Sequence, residues 1–306
     1  MSRDICPPCA DEGVLLGTPY RAMRRLGGGV LSDVLEARGP RDEILALKVL
    51  RPSGMNPDSA FRLGLEGRVL SGFCHSNVVK VLGSGVTAGG RPYLVMERLA
   101  GRSLRARLDR EGRLSPLLAC SLFLGLLDGL DAAHRAGIVH RDLKPSHVFV
   151  CGEGKGLGEE RAVLLDFGIA KMRGADGTAT TDGHVIGTPR YWSPEQILGG
   201  CVDARTDVYG AGLVLFEALS GRSPFDADAR DFRENMRAHL LVRPYALSQF
   251  VRVRPALSHV VERALRKEPD RRFPSAGAFA AALRDVLGAG EACMDLRPAS
   301  MWSWVA

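Results

Sequence analysis

Two short stretches constrain this chain more than the rest of it: His140-Arg141-Asp142-Leu143-Lys144-Pro145-Ser146-His147 and Asp166-Phe167-Gly168. The first puts a carboxylate, Asp142, and a cation, Lys144, on one loop. The second puts a carboxylate beside a glycine. Charges set among apolar runs are costly to bury unless they are paired. A fold that holds both stretches therefore has to bring distant parts of the chain to a shared crevice.

The 306 residues suffice for two lobes or one large domain. Hydrophobic residues at 45% and charged residues at 25% match an ordinary globular protein. The longest apolar run, residues 117–127, stops at Asp128 and is too short to span a bilayer. Met1-Ser2-Arg3-Asp4 leads into Cys and Pro, not into an apolar segment. No secretory leader is therefore expected, and the protein reads as cytoplasmic without a membrane partner. A net charge of +6 raises nucleic acid as a partner. The arginines are scattered among acids and form no stripe, so a solvated basic surface is expected and no nucleic-acid partner. The seven cysteines are an odd number and fit reduced thiols. Cys6 and Cys9 form a lone CxxC, and a tetrahedral zinc site needs two further ligands.

Residues 1–18 read as a loose tail rich in proline, glycine and acids. Residues 19–97 read as a small strand-rich lobe, with short strands from 20 to 50 and a hairpin over 78–96 that turns at Gly89-Gly90. Between them, Phe61, Leu65 and Val69 are spaced for a helix over 57–72. Gly64 and Gly67 lie inside it, each costing about 1 kcal/mol against alanine, which predicts a marginal helix. Residues 98–288 change to mainly helical. Ser115-Pro116 starts a helix that is apolar nearly all round and runs to about 135. Further helices are expected over 207–220, 226–241, 255–267 and 275–287, and residues 289–306 read as a C-terminal tail. The fold class is α+β in two lobes.

Leu26-Gly27-Gly28-Gly29 and Val34 put three glycines between two strand-like runs. Without a Cβ, such a turn lets backbone N–H groups approach phosphates. A tight hairpin uses glycines as well. The distinguishing feature is Ala46-Leu47-Lys48 on the next strand, because a lysine in an apolar strand needs an anion. A nucleotide phosphate or Glu66 on the following helix would serve. Phosphoryl transfer from a nucleotide needs a base to orient the attacking hydroxyl and an acid to hold a metal on the phosphates, which Asp142 and Asp166 could supply.

These ordered motifs, over about residues 20–287, resemble those of the eukaryotic-type protein kinase family, most closely its bacterial serine/threonine members. The resemblance implies a bilobal fold and ATP-dependent phosphorylation of Ser/Thr in proteins, with autophosphorylation through transient self-association. It implies ATP with magnesium, manganese being an alternative ion. By similarity, Leu26, Gly27, Gly28, Gly29 and Val34 form the glycine-rich loop, and Ala46 belongs to the nucleotide site. Lys48 holds the α/β-phosphates, paired with Glu66. Met96, Glu97 and Leu99 form the adenine hinge, and Phe149 its floor. Asp142 is the catalytic aspartate, Lys144 the lysine that neutralises the transferred group, and Asp166 the metal ligand. Gly187, Thr188 and Ser193-Pro194-Glu195 resemble the substrate-binding segment. Glu195 is expected to pair with Arg272, and Asp207 to tie down the catalytic loop. Thr178, Thr180 and Thr181 are candidate phosphorylation sites, with Arg141 as the receiver of the phosphate.

The chain departs from the family at His147, where an asparagine is expected as second metal ligand. It departs again at Phe149, where a smaller residue is usual, and mildly at Ser32 and Ser193. The alternative to an active kinase is thus a pseudokinase, a nucleotide-binding or scaffold module. If His147 binds metal, manganese should be well tolerated, and activity should fall as pH drops through about 6.5, the ordinary imidazole value.

Overall fold

The computed structural model describes residues 17–154, 158–168, 189–225 and 231–288. Cys6, Cys9, Thr178, Thr180, Thr181, Gly187, Thr188 and the C-terminal tail lie outside them.

Five antiparallel strands make the N-terminal lobe: β1 (Arg21–Gly28), β2 (Ser32–Arg38), β3 (Ile44–Leu50), β4 (Val81–Val86) and β5 (Pro92–Glu97). They lie in the order β1-β2-β3-β5-β4. Side chains alternate faces along a strand. In β3, Leu45, Leu47 and Val49 join Ala37, Tyr93 and Val95 in a separate outer cluster. Ala46 and Leu50 face the other way, into the main core with Leu94 and Met96. Lys48 shares that second face, opposite Val34 on β2 and Leu94 on β5.

Helix α1 (Pro57–Leu70) covers this face. Asn56 caps it by accepting the Ser59 N–H at 2.7 Å, and Pro57 sits in its first turn. The Phe61, Leu65, Val69 spacing predicts the helix, and Leu65 and Val69 pack partly buried against the core, but the spacing misses the most buried line. Phe61 is 45% exposed, and the buried positions are Ser59, Leu63, Glu66, Gly67 and Leu70. The two glycines also differ in kind. A Cβ at Gly64 would meet nothing within 4 Å, whereas at Gly67 it would lie 2.6 Å from Leu94 Cδ2 and 3.0 Å from Ser84 Cβ. Gly67 therefore lets α1 lie close on the sheet, which brings Glu66 within reach of Lys48.

Gly67→Ala is expected to destabilise by about 1–3 kcal/mol through overpacking, although alanine is the better helix former by about 1 kcal/mol. Gly64→Ala should stabilise by up to about 1 kcal/mol. Urea melts of both variants check this, and equal effects would refute the close contact.

The second lobe opens with β6 (Gly101–Ser103) and α2 (Leu104–Glu111), which Ser103 caps. Strand β6 pairs with β7 (Val148–Cys151), and β7 with β8 (Arg161–Leu164). Between α2 and β7 runs the long helix α3 (Pro116–Arg135), whose cap Ser115 accepts the Leu118 N–H. The helices that follow are α4 (Pro194–Ile197), α5 (Ala204–Ser220), α6 (Phe232–Leu241), α7 (Pro255–Ala264) and α8 (Ala276–Gly288). Helix α3 is long and apolar enough to cross a membrane by length and composition. Here its buried residues, among them Phe123, Leu127 and Leu130, pack on β8, α5 and α8. Helix α5 begins at Ala204 and not at Asp207, because the Asp203 carboxylate accepts the Arg205 N–H at 2.8 Å and caps it there. All of its residues from 206 to 219 are buried.

A short connector bolts the lobes together. Val79 N–H donates to Leu164 O at 2.9 Å, and Leu164 N–H donates to Asn77 O at 2.8 Å. Asn77 Nδ2 adds a bond to Ala162 O at 2.8 Å. The loop that follows β8, which carries Asp166, is thereby placed under the sheet.

Candidate active site

Lys48 Nζ lies 3.0 Å from Glu66 Oε2 and 2.9 Å from Asp166 Oδ1. Strand β3, helix α1 and the loop after β8 meet at this ammonium. Burial alone would depress Lys48, but the carboxylates of Asp166 and Glu66 outweigh it and hold the ammonium above its usual range. Burial pushes Glu66 up despite Lys48. It works the same way on Asp166, where Lys48 and His147 overcome it and keep the carboxyl well below its usual range.

The loop after α3 is pinned from beneath. Asp207 accepts the His140 N–H at 2.7 Å on one oxygen and the Arg141 N–H at 2.8 Å on the other. Arg141 (φ 64) and Asp166 (φ 51) both adopt left-handed backbone. Such residues cost about 1–3 kcal/mol each and cluster at working sites. The His140 ring joins the two motif stretches. Its Nδ1 accepts the Asp142 N–H at 3.3 Å, so Nε2 carries the hydrogen and donates to Leu165 O at 3.0 Å. Gly168 N–H closes the link by donating to His140 O at 2.7 Å. On this frame Lys144 Nζ lies 3.0 Å from Asp142 Oδ2.

His147 is turned inward, with its side chain 14% exposed. Nδ1 lies 2.9 Å from Asp142 O. A carbonyl only accepts, so Nδ1 carries the hydrogen and Nε2 keeps a lone pair. Nε2 lies 3.9 Å from Asp166 Oδ2. The expectation of a protonation near pH 6.5 is corrected here. Burial pushes this imidazole down to about 4, against the pull of Asp166. His147 gives no reason for activity to fall at pH 6.5.

Three histidines are held neutral by burial: His140 lies below its ordinary value, His147 is pushed down to about 4, and His239 to about 3. His239 uses both nitrogens, donating from Nε2 to Arg190 O at 3.0 Å and accepting at Nδ1 from the Tyr209 hydroxyl at 2.9 Å. In the unfolded chain each ring takes a proton near pH 6.5. Below about that pH the unfolded state binds more protons than the fold, so stability falls, at full effect by about 1.4 kcal/mol per pH unit for each ring. The loss continues to about pH 4, where His147 is protonated within the fold. We expect melting temperatures to fall steadily between about pH 7 and about pH 5, and less steeply in His239→Gln. A flat profile would mean that these rings titrate in the fold as they do in the unfolded chain.

At the glycine-rich turn, Gly28 has φ 157, and a Cβ there would lie 2.6 Å from Ser32 O. A Cβ at Gly27 or Gly29 would meet nothing within 4 Å, so their backbone is open on that side. Asp33, at the exit of the turn, is clamped by Arg25 at 2.8 Å and Arg51 at 2.7 Å. Ala46, Met96 and Leu99 belong to the main apolar core with Leu143 and Phe167, and Leu26, Val34 and Phe149 pack against it, partly buried. The Glu97 side chain turns away from that set, accepting the Lys80 N–H at 2.8 Å, so only its backbone is available to a base. Arg98 reaches Glu36 on β2 at 2.7 Å, a tie from hinge to sheet that sequence spacing did not reveal.

Glu195 bonds Arg272 through both oxygens, at 2.8 and 2.7 Å. Ser193 forms a capping box with Gln196, and Gln196 Nε2 donates to Arg141 O at 2.8 Å. The Ser-x-x-Gln spacing is a readable signal for the cap. The reach of Gln196 to the catalytic loop carries no sequence signal.

A strand-rich lobe over a helical one, a lysine–glutamate pair above and an aspartate-bearing loop below define the protein-kinase class. The chain belongs to the protein kinase domain family, whose model matches residues 20–282. It is 38% identical over 282 residues to the serine/threonine-protein kinase Pkn1 of Myxococcus xanthus, covering 90% of this chain and 39% of the relative. Against pkn3 of the same organism, identity is 35% over 287 residues, covering 91% and 52%. Against the serine/threonine-protein kinase PkaA of Streptomyces coelicolor it is 37% over 271 residues, covering 88% and 47%. The chain spans about half, or less, of the length of these relatives.

Proposed function

We propose that this chain transfers the γ-phosphoryl group of ATP to serine and threonine hydroxyls of proteins, its own among them. The observation that carries the reading is that Lys48 pairs with Glu66 and Asp166, Lys144 pairs with Asp142, and His147 lies between the two clusters, 3.5 Å from Asp142 and 3.9 Å from Asp166. A scaffold has no use for five charges placed there.

In this reading Asp142 accepts the proton of the attacking hydroxyl, a step worth about 10²–10⁴-fold. Lys144, beside it, offsets the charge of the moving group. Glu66 fixes Lys48 for the α/β-phosphates, and the open backbone at Gly27 and Gly29 supplies further donors. Adenine lies among Leu26, Val34, Ala46, Met96 and Phe149, bonding the hinge backbone at Glu97 and Leu99. The cleft holds two lysines against three carboxylates, so a divalent cation fits its charge, with Asp166 and His147 as the donors. When bound, Mg²⁺ or Mn²⁺ neutralises phosphate charge.

Arg141 Nε is buried without a hydrogen-bond partner among the described residues. That suits it to receive a phosphate on Thr178, Thr180 or Thr181.

The test is transfer from labelled ATP to the chain itself and to a Ser/Thr-containing protein, beside Asp142→Asn. Labelling that vanishes in the variant supports the reading. Stabilisation by nucleotide without transfer by the wild type would establish a binding module instead.

A further inference from the structure

We propose that Nε2 of His147 is a direct nitrogen ligand to the nucleotide-bound cation, and that it turns the cleft's preference from Mg²⁺ toward Mn²⁺. The inference rests on the ATP reading above and concerns the position where the family pattern carries asparagine. His147 is held at three points. Its N–H donates to Lys144 O at 2.9 Å, its carbonyl accepts the Leu165 N–H at 2.8 Å, and Nδ1 donates to Asp142 O at 2.9 Å. A backbone carbonyl on the far ring nitrogen is the arrangement that orients metal-binding histidines and raises their basicity.

The lone pair on Nε2 lies 3.9 Å from Asp166 Oδ2. An ion about 2.1 Å from both donors needs them between about 3.0 Å apart at a right angle and about 4.2 Å apart when opposite. The observed 3.9 Å lies between those two arrangements, so a shift of a few tenths of an ångström in either side chain brings both donors onto one ion. Among the described residues no three His, Cys, Asp or Glu side chains form a metal site by themselves. The other coordination positions therefore go to phosphate oxygens and water, which serve either ion. The choice between ions falls to His147. Both ions favour oxygen, but Mg²⁺ demands near-ideal octahedral geometry and dehydrates reluctantly, whereas Mn²⁺, a first-row transition ion, takes a neutral nitrogen at lower cost.

The full chain loaded with Mn²⁺ and ADP is to be read by pulsed electron paramagnetic resonance. A nitrogen-14 coupling is expected, replaced by nitrogen-15 when histidine is labelled, and absent in His147→Asn. In calorimetry, the ratio of Mn²⁺- to Mg²⁺-supported ADP affinity should fall by about tenfold or more in His147→Asn. Taking the ratio within each protein cancels any general loss of folding.

No histidine coupling, or the same ratio in both proteins, overturns the proposal. Asp166→Asn separates this from the ATP reading. If the wild type binds Mn²⁺ and ADP, depends on Asp166 and shows no histidine coupling, the ATP reading stands and this inference fails. If ADP binds with neither ion, both fail.

Discussion

Asp142→Asn should lower phosphoryl transfer by about a thousandfold, within the 10²–10⁴ range of a lost general base, while ADP still stabilises the chain as it does the wild type. The substitution keeps the shape and removes the proton acceptor. Lys144 at 3.0 Å loses a charged partner, yet the nucleotide contacts assigned to Lys48, the glycine turn and the hinge do not involve Asp142. The expected signature is therefore a fall in kcat with little change in the KM for ATP. Single-turnover transfer from labelled ATP, with a nucleotide-induced melting shift on the same samples, checks both halves. A variant within about tenfold of the wild type would remove Asp142 from the reaction.

The second large effect concerns stability. Arg272→Ala should cost about 3–5 kcal/mol, the range for removing one partner of a buried ion pair. All five guanidinium N–H groups of Arg272 are used. Two go to Glu195, and the others to Arg266 O at 2.7 Å, Lys267 O at 2.7 Å and Arg205 O at 2.9 Å. Its side chain has no exposed surface, and that of Glu195 is 9% exposed. Truncation strands the Glu195 carboxylate, left with the Thr206 hydroxyl at 2.6 Å, and three carbonyls besides. Arg272→Lys should recover little, because an ammonium cannot reproduce the fork. The double variant Arg272→Met with Glu195→Gln should lose less than the two single losses added. Urea midpoints at fixed slope measure this, and additive losses would show that the pair does not act as a unit.

Arg272 also shows what the sequence could and could not tell. Its pairing with Glu195 was implied by the family resemblance. The three backbone carbonyls that complete its fork were not, because they come from the path of the chain, which no residue type encodes. Helix α1 teaches the same point. The spacing of Phe61, Leu65 and Val69 carried the helix, but period alone does not say which side meets the sheet. The contact of Gly67 with Leu94 decided it. At His147 the sequence shows the substitution but not the protonation of the ring. An ordinary imidazole value assumes water, and this ring is buried under Asp142 and Asp166.

The sequence by itself determined the α+β class and the identity of the charged residues, because strand alternation, helix starts and charges stranded among apolar runs are local properties, and the order of its motifs pointed to the family and its two lobes. Only the tertiary structure decided their protonation, the strained backbone at Arg141 and Asp166, and the tie from Gln196 to the catalytic loop. Each of these depends on dielectric and distance between segments far apart in the chain, quantities that come into being only when the lobes close on one another.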